Sequence, residues 1–324
     1  MCPQGTSQGR AVVLDLRALR QTLWRVIRGT VASCMRYRVT GLAAEVAFFA
    51  ILSLPPLIFA LAGSIGFVVA SFSNTQVADL RQSVLDLAGQ ALTPDTVDSV
   101  IRPTLDEVLN GGRYDVISIG FVLALWSGSR ALNVIIDTIT IMYGLSGIRG
   151  IVWTRVLAFL FYLLGMLTGV VAVPLVLAGP QLVEDWTPDR LQWLAHLYWP
   201  VVLVGGICFL ATLYHASIPV RTKWRYNLPG SVFTMVCWIF GSALLRWILL
   251  AVASNSTSIY GPLAAPIAVL LWLYILSISV LIGAALNATI DDVWPQVEVA
   301  KARLSIRRRT VAAPEADPEP EPEL

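Results

Sequence analysis

The sequence predicts an all-α protein, a polytopic bundle of six membrane-spanning helices, and three observations predict it. Apolar residues make up 56% of the 324 residues and charged residues 14%, against the roughly half and quarter of a water-soluble domain. The apolar residues fall in long blocks separated by short polar connectors, as a hydrocarbon solvent requires, because a spanning helix keeps its backbone hydrogen bonds within its own segment. The basic residues flank these blocks unevenly, most of them on one face of the implied bundle.

The blocks cover residues 42–72, 116–143, 151–178, 194–214, 230–253 and 262–290. Each reaches the about 20 residues that cross a hydrocarbon core at 1.5 Å per residue. The first, second and last are longer than needed, so they must tilt, bend or protrude; Pro55-Pro56, Pro174 and Pro266 are the expected kink points. The chain therefore divides into a basic amphipathic segment (1–40), the spanning domain (41–290) and a basic, then acidic, carboxyl-terminal segment (291–324).

Orientation follows from the arginines and lysines. Arg10, Arg17, Arg20, Arg25, Arg28, Arg36 and Arg38 precede the first span, Arg149 and Arg155 border the third, Arg221, Lys223 and Arg225 the fifth, and Lys301, Arg303, Arg307, Arg308 and Arg309 follow the last. All fall on one side, which the positive-inside rule assigns to the cytoplasm together with both termini. The amino-terminal segment is too long and too charged for the leading region of a cleavable signal, so it is expected to be retained.

Two pieces outside the spans have a readable pattern. Val12, Leu16, Leu19, Leu23, Val26 and Ile27 recur at helical spacing with arginines between them. This reads either as a basic amphipathic helix on an anionic leaflet or as an ordinary helix carrying topogenic charge. The loop from Ser73 to Asp115 holds two further amphipathic patterns with Thr93-Pro94 and Asn110-Gly111-Gly112 as start and stop signals, and is expected to form an external helical hairpin between the first two spans. Past Arg309 the chain turns to Pro and Glu, with Glu315, Asp317, Glu319, Glu321 and Glu323, a composition that favours disorder.

Nothing in the motifs points to catalysis, and no enzyme activity, catalytic residue, metal or cofactor is expected. His196 and His215, the two histidines, sit near opposite ends of the fourth block, roughly 28 Å apart on a straight helix, too far to share a metal. Cys2, Cys34, Cys208 and Cys237 form no CxxC pair. The informative residues are the polar ones placed in lipid. Arg130, Asn133 and Asp137 share one face of the second span, and an intramembrane arginine costs about 2.5–3.5 kcal/mol on the translocon scale, so it must find a partner. Glu45, Asp137 and Arg155 lie at comparable depth on three spans, and with Arg130 and Asn133 they form the candidate polar cluster. Glu45 and Arg155 also fit plain snorkelling to the interface. Trp126-Ser127-Gly128-Ser129 and Tyr260-Gly261-Pro262 are candidates for local unwinding or for close helix packing.

The first span, with Ala43-Ala44-Glu45-Val46-Ala47-Phe48-Phe49 leading to Leu52-Ser53-Leu54-Pro55-Pro56, resembles the opening motif of the YihY/BrkB family of bacterial inner-membrane proteins. The order and spacing of Pro219-Val220-Arg221, Leu228-Pro229-Gly230, Tyr260-Gly261-Pro262, Leu271-Trp272-Leu273-Tyr274 and Gly283-Ala284-Ala285-Leu286-Asn287-Ala288 carry the resemblance further. It covers roughly Arg36 to Ile290 and departs from the family at Ala285, where a Glu is common, which puts any role of that carboxylate in question here. The resemblance implies six spans and the bacterial cytoplasmic membrane. The family's associations with envelope integrity, serum resistance and lipopolysaccharide export imply an envelope amphiphile as a partner, while anionic membrane lipid is expected from the basic amino-terminal helix. An old label of tRNA-processing ribonuclease also attaches to the family. The arginines here fit membrane topology better than an RNA groove, and no nucleic-acid partner is expected.

Overall fold

The structure is a computed structural model and describes residues 16–69, 82, 85, 102–103, 114–186, 193–253 and 261–312. Most of the expected external hairpin, the Tyr260 turn residue, the first residues of the amino-terminal helix and the acidic end of the chain lie outside the described residues.

Every regular element among the described residues is helical: α1 (Leu16–Arg36), α2 (Val39–Val69), α3 (Tyr114–Met142), α4 (Ile151–Trp186), α5 (Trp193–Ser217), a 3-10 turn (Trp224–Asn227), α6 (Leu228–Ala253), α7 (Gly261–Val293) and α8 (Val297–Ala312). Five stretches are long and apolar enough to cross a membrane: Phe121–Met142, Ile151–Gly169, Trp199–Ser217, Trp224–Leu250 and Pro266–Val293. A sixth arises when Arg20–Arg36 and Val39–Leu54, which meet at a 63° bend, count as one. Of that pair α2 supplies the crossing length, since Glu45 is its single ionisable residue in 31, whereas α1 carries Arg17, Arg20, Arg25, Arg28 and Arg36.

The break between α1 and α2 is at Arg38, whose φ of 50° places a non-glycine residue in the left-handed region. There the Arg38 amide donates to the Met35 carbonyl at 3.3 Å, and the Arg38 carbonyl accepts from Gly41 at 2.9 Å. One residue thus ends α1 and starts α2, in the manner of a left-handed helix cap. The prolines expected to kink the spans are carried inside helices, Pro266 near the start of α7 and Pro55-Pro56 within α2.

Large apolar side chains cover the outside of the bundle; Phe240 is 71% and Trp247 67% exposed. Patches of this extent are not sustained in water and mark the lipid-facing surface of a polytopic membrane protein. Among the described side chains the packed core lies toward the end of the bundle where α1 and α8 attach. It is built from Val39 and Ala43 of α2, Ile136 and Ile139 of α3, Leu210 and Tyr214 of α5, and Leu281 and Ala285 of α7.

The seam between α6 and α7 is the most regular feature. Gly230 and Gly283 bring the two backbones together: a Cβ on Gly283 would meet the Thr234 hydroxyl and lie 2.8 Å from the Gly230 carbonyl oxygen. Positions 230, 234, 238 and 242 of α6, four apart and so on one face, each make a hydrogen bond to α7. The Gly230 amide donates to Asn287 Oδ1 at 2.7 Å, Thr234 Oγ1 to the Ser279 carbonyl at 3.2 Å, and Trp238 Nε1 to the Leu276 carbonyl at 3.0 Å; Ser242 Oγ accepts from Trp272 Nε1 at 3.1 Å. Gly230 is the third residue of α6, so its N–H has no partner within its own helix, and Asn287 caps it from across the seam. The other half of the Asn287 amide donates to the Asn227 carbonyl at 3.1 Å. Tyr214 adds α5 to the ladder, its hydroxyl 2.8 Å from both Thr234 Oγ1 and the Val280 carbonyl.

The basic part of the carboxyl-terminal segment, of which no helix was expected, forms α8, and this helix runs three residues past Arg309, where disorder was expected to begin. Arg303 docks it: Nε donates to the Tyr143 carbonyl at 2.7 Å, Nη1 pairs with Asp292 at 2.7 Å, and Nη2 stands 3.3 Å from the buried Asp291 carboxylate. One guanidinium therefore joins the ends of α3 and α7.

Replacing Asn287 by Leu keeps the volume but orphans the buried Gly230 N–H, at a cost of about 1–3 kcal/mol, while the Asn227 carbonyl keeps the Ser231 hydroxyl as a donor at 2.9 Å. Asn287→Leu is thus expected to lower the thermal unfolding midpoint of the detergent-purified protein well below that of Trp272→Phe, which removes one exposed bond. Equal midpoints would contradict the capping role.

Candidate functional site

The intramembrane polar residues converge on one face of α3. Arg130 lies 12 residues before the end of α3 at Met142, roughly 18 Å along the helix axis and so near the middle of a hydrocarbon core. Its Nη2 is 3.9 Å from Glu45 Oε1 on α2, with the two side chains 44% and 40% exposed, and its guanidinium sits 5.6 Å from the centre of the Phe49 ring. A turn further on, Asn133 Nδ2 donates to Asp137 Oδ2 at 2.8 Å. Arg155 of α4 reaches the same stretch of α3 by donating to the Trp126 carbonyl at 3.5 Å.

These contacts differ in two respects from the expected cluster. Glu45 pairs with Arg130 rather than with the groups nearer the helix ends, and among the described residues Arg155 makes no ion pair with Asp137 but rests on a backbone carbonyl. The reason is reach. A guanidinium stands on a stem of three methylenes, so depth counted along the sequence does not fix where its charge sits.

Trp126 to Ser129 do not unwind; they lie within the continuous α3 and serve close packing. Ser127 Oγ donates to the Phe49 carbonyl of α2 at 3.1 Å, and a Cβ on Gly128 would collide with the Tyr162 ring of α4. Small residues therefore let α2 and α4 close on α3 from two sides, leaving the Arg130 side open between them. Around that opening Phe48, Leu52, Val122 and Trp126 are exposed. The result is a polar strip bordered by apolar side chains. Its ion pair is long and half-exposed where water is scarce, so Arg130 keeps donor capacity for a further anionic group.

The residues matched to the resemblance fall mostly in the seam. Trp272, Gly283 and Asn287 belong to the α6–α7 ladder, Tyr274 packs half-buried against the core, and Gly261 begins α7. Pro55 lies within α2, its side chain outside the described residues, and Ala285 is fully buried in the core. Tyr214, Thr234, Asp291 and Arg303 went unremarked as partners in the sequence, since nothing in the spacing of one chain pairs residues on separate helices. At the same end Arg149 donates to the Ala216 carbonyl at 3.0 Å, capping the last turn of α5, and burial lowers its guanidinium from its ordinary value.

No solved structure matches the chain. In sequence it is 26% identical over 254 residues to the ribonuclease-like protein YfkH of Bacillus subtilis (strain 168), covering 76% of this chain and 88% of that one. It is 23% identical over 262 residues to a UPF0761 membrane protein of Psychromonas ingrahamii, covering 79% and 84%. The profile of the family described as Virulence factor BrkB matches residues 30–305, which take in α2 to α7, the α6–α7 ladder and the Arg130 face. With most of its length, its bundle and its seam inside that match, the chain belongs to the Virulence factor BrkB family of membrane proteins.

Proposed function

We propose that this protein sits in the bacterial cytoplasmic membrane with both termini in the cytoplasm and moves or accommodates an amphiphilic envelope component, using the Arg130 face to hold an anionic head group. The observation that carries the reading is the incompletely satisfied pair of Arg130 and Glu45 at mid-membrane depth, 3.9 Å apart and open to the bundle exterior. At the α6–α7 seam polar groups meet at hydrogen-bond distance, as at Asn287, whereas the Arg130 guanidinium stays open to a further partner beside a carboxylate 3.9 Å away. The exposed Phe48, Leu52 and Trp126 beside it suit an acyl chain lying along the same face.

No catalytic step, metal or cofactor forms part of this reading. The name of the Bacillus relative suggests RNA chemistry, but the arginines of this chain gather where its helices end, which suits a membrane interface. A scaffolding role without transport is the alternative.

Arg130→Leu is expected to reduce co-purified anionic lipid severalfold while leaving protein abundance unchanged; parallel loss of both would favour a purely structural role. A double-mutant cycle between Glu45→Ala and Arg130→Ala is expected to give a coupling of about 0.5–1 kcal/mol, the scale of a half-exposed or intramembrane polar pair. A value several times larger would mean a closed structural salt bridge. For orientation, a cysteine placed at exposed Ser305 in a cysteine-free background should react with a membrane-impermeant maleimide in inverted vesicles and not in intact spheroplasts. The reverse pattern would overturn the assignment of sides.

A further inference from the structure

Helix α1 was expected to show a single apolar stripe, and the structure divides it in two. Val26 and Thr30 are buried toward the bundle, and Gly29 sits so close to Thr289 of α7 that a Cβ there would strike its methyl group. Leu23, Trp24, Ile27, Val31 and Met35 are instead exposed, Trp24 at 65% and Met35 at 78%. At 100° per residue these five occupy one sector of the helix. Arg25, Arg28 and Arg36, all exposed, fall on the flank beside it. The helix thus has a docked face, an unpartnered apolar face and a basic border between them.

We propose that the outer face of α1 is a membrane-surface binding site whose partner is the anionic phospholipid of the leaflet at this end of the bundle. Three observations choose lipid over a protein partner. The first is continuity: α1 leads directly into α2, whose apolar exterior already faces lipid. The second is angle. A helix bent 63° from α2 lies within about 30° of the membrane plane when α2 stands near the normal, with the usual tilt adding to or subtracting from that. The third is charge: arginines bordering an apolar sector place guanidinium groups at head-group level while the side chains beside them enter the acyl region. Docking on α7 through Gly29 fixes which face of α1 turns outward, so the contact is built into the fold and is not left to a free amphipathic segment.

The test uses the full chain in vesicles. Nitroxide labels are placed at Trp24→Cys, Ile27→Cys and Val31→Cys in protein whose native cysteines are replaced by Ser, with Arg25→Cys as the reference position. In phosphatidylcholine vesicles containing phosphatidylglycerol, the first three labels are expected to be reached by oxygen and shielded from a water-soluble nickel chelate, with position 25 showing the opposite. Chelate access at 24, 27 and 31 equal to that at 25 would overturn the proposal, and would leave the face to a protein. Arg25→Gln, Arg28→Gln and Arg36→Gln together are expected to raise chelate access at position 27 about fivefold or more in the phosphatidylglycerol vesicles, and to leave it unchanged in pure phosphatidylcholine. No change in either lipid, or the same change in both, would remove the anionic head group from the proposal. Arg130→Leu should move none of these readouts, which keeps this surface separable from the mid-membrane site.

Discussion

The ladder between α6 and α7 holds the rest of this bundle in place. In hydrocarbon there is no apolar driving force between helices, so association depends on close packing and on hydrogen bonds that lipid cannot replace. Gly230 and Gly283 supply the first, and the repeat at positions 230, 234, 238 and 242 supplies the second. Other elements attach to this pair: α5 through the Tyr214 hydroxyl, α1 through Gly29 against Thr289, and α8 through Arg303 on Asp291 and Asp292. The carboxyl-terminal half of α7 is accordingly the hub of the packed end.

Against that background the α3 face is built differently. In the seam, donors and acceptors meet at 2.7–3.2 Å, with the Gly230 and Thr234 bonds buried. On α3 the Arg130–Glu45 separation is 3.9 Å with both side chains nearly half exposed. Both regions put polar groups at membrane depth, yet one is complete within the chain and the other is not. Polarity inside a bilayer therefore takes two forms here, one closed between helices and one left open.

Composition and block length were enough to read the architecture, because hydrocarbon thickness imposes a length on every span and the described helices obey it. The α3 face was legible too, since Arg130, Asn133 and Asp137 share it through helical periodicity alone. Pairing across helices was not. Asn287 is visible as part of a motif, but its role as a cap for Gly230, 57 positions away, requires knowing that α6 and α7 touch. The same holds for Arg303, whose three partners lie on two other elements. Val26 illustrates a subtler limit: periodicity assigns it to the stripe with Leu23 and Ile27, and only the docking of α1 on α7 turns it inward. Small residues at Trp126 to Ser129 fit both unwinding and tight packing, and the Tyr162 ring above Gly128 decides for packing.

Arg38 carries one more implication. A left-handed residue with a Cβ costs on the order of 1–2 kcal/mol, and the cost recurs in every copy made, so the elbow has to be favoured by what lies on either side of it. Were α1 to continue straight into α2, its arginines would be drawn toward hydrocarbon as α2 is threaded into the bilayer during biogenesis. With the elbow, those arginines leave the line of α2, and the handedness of a single backbone angle divides a helix rich in guanidinium groups from one that carries a single carboxylate.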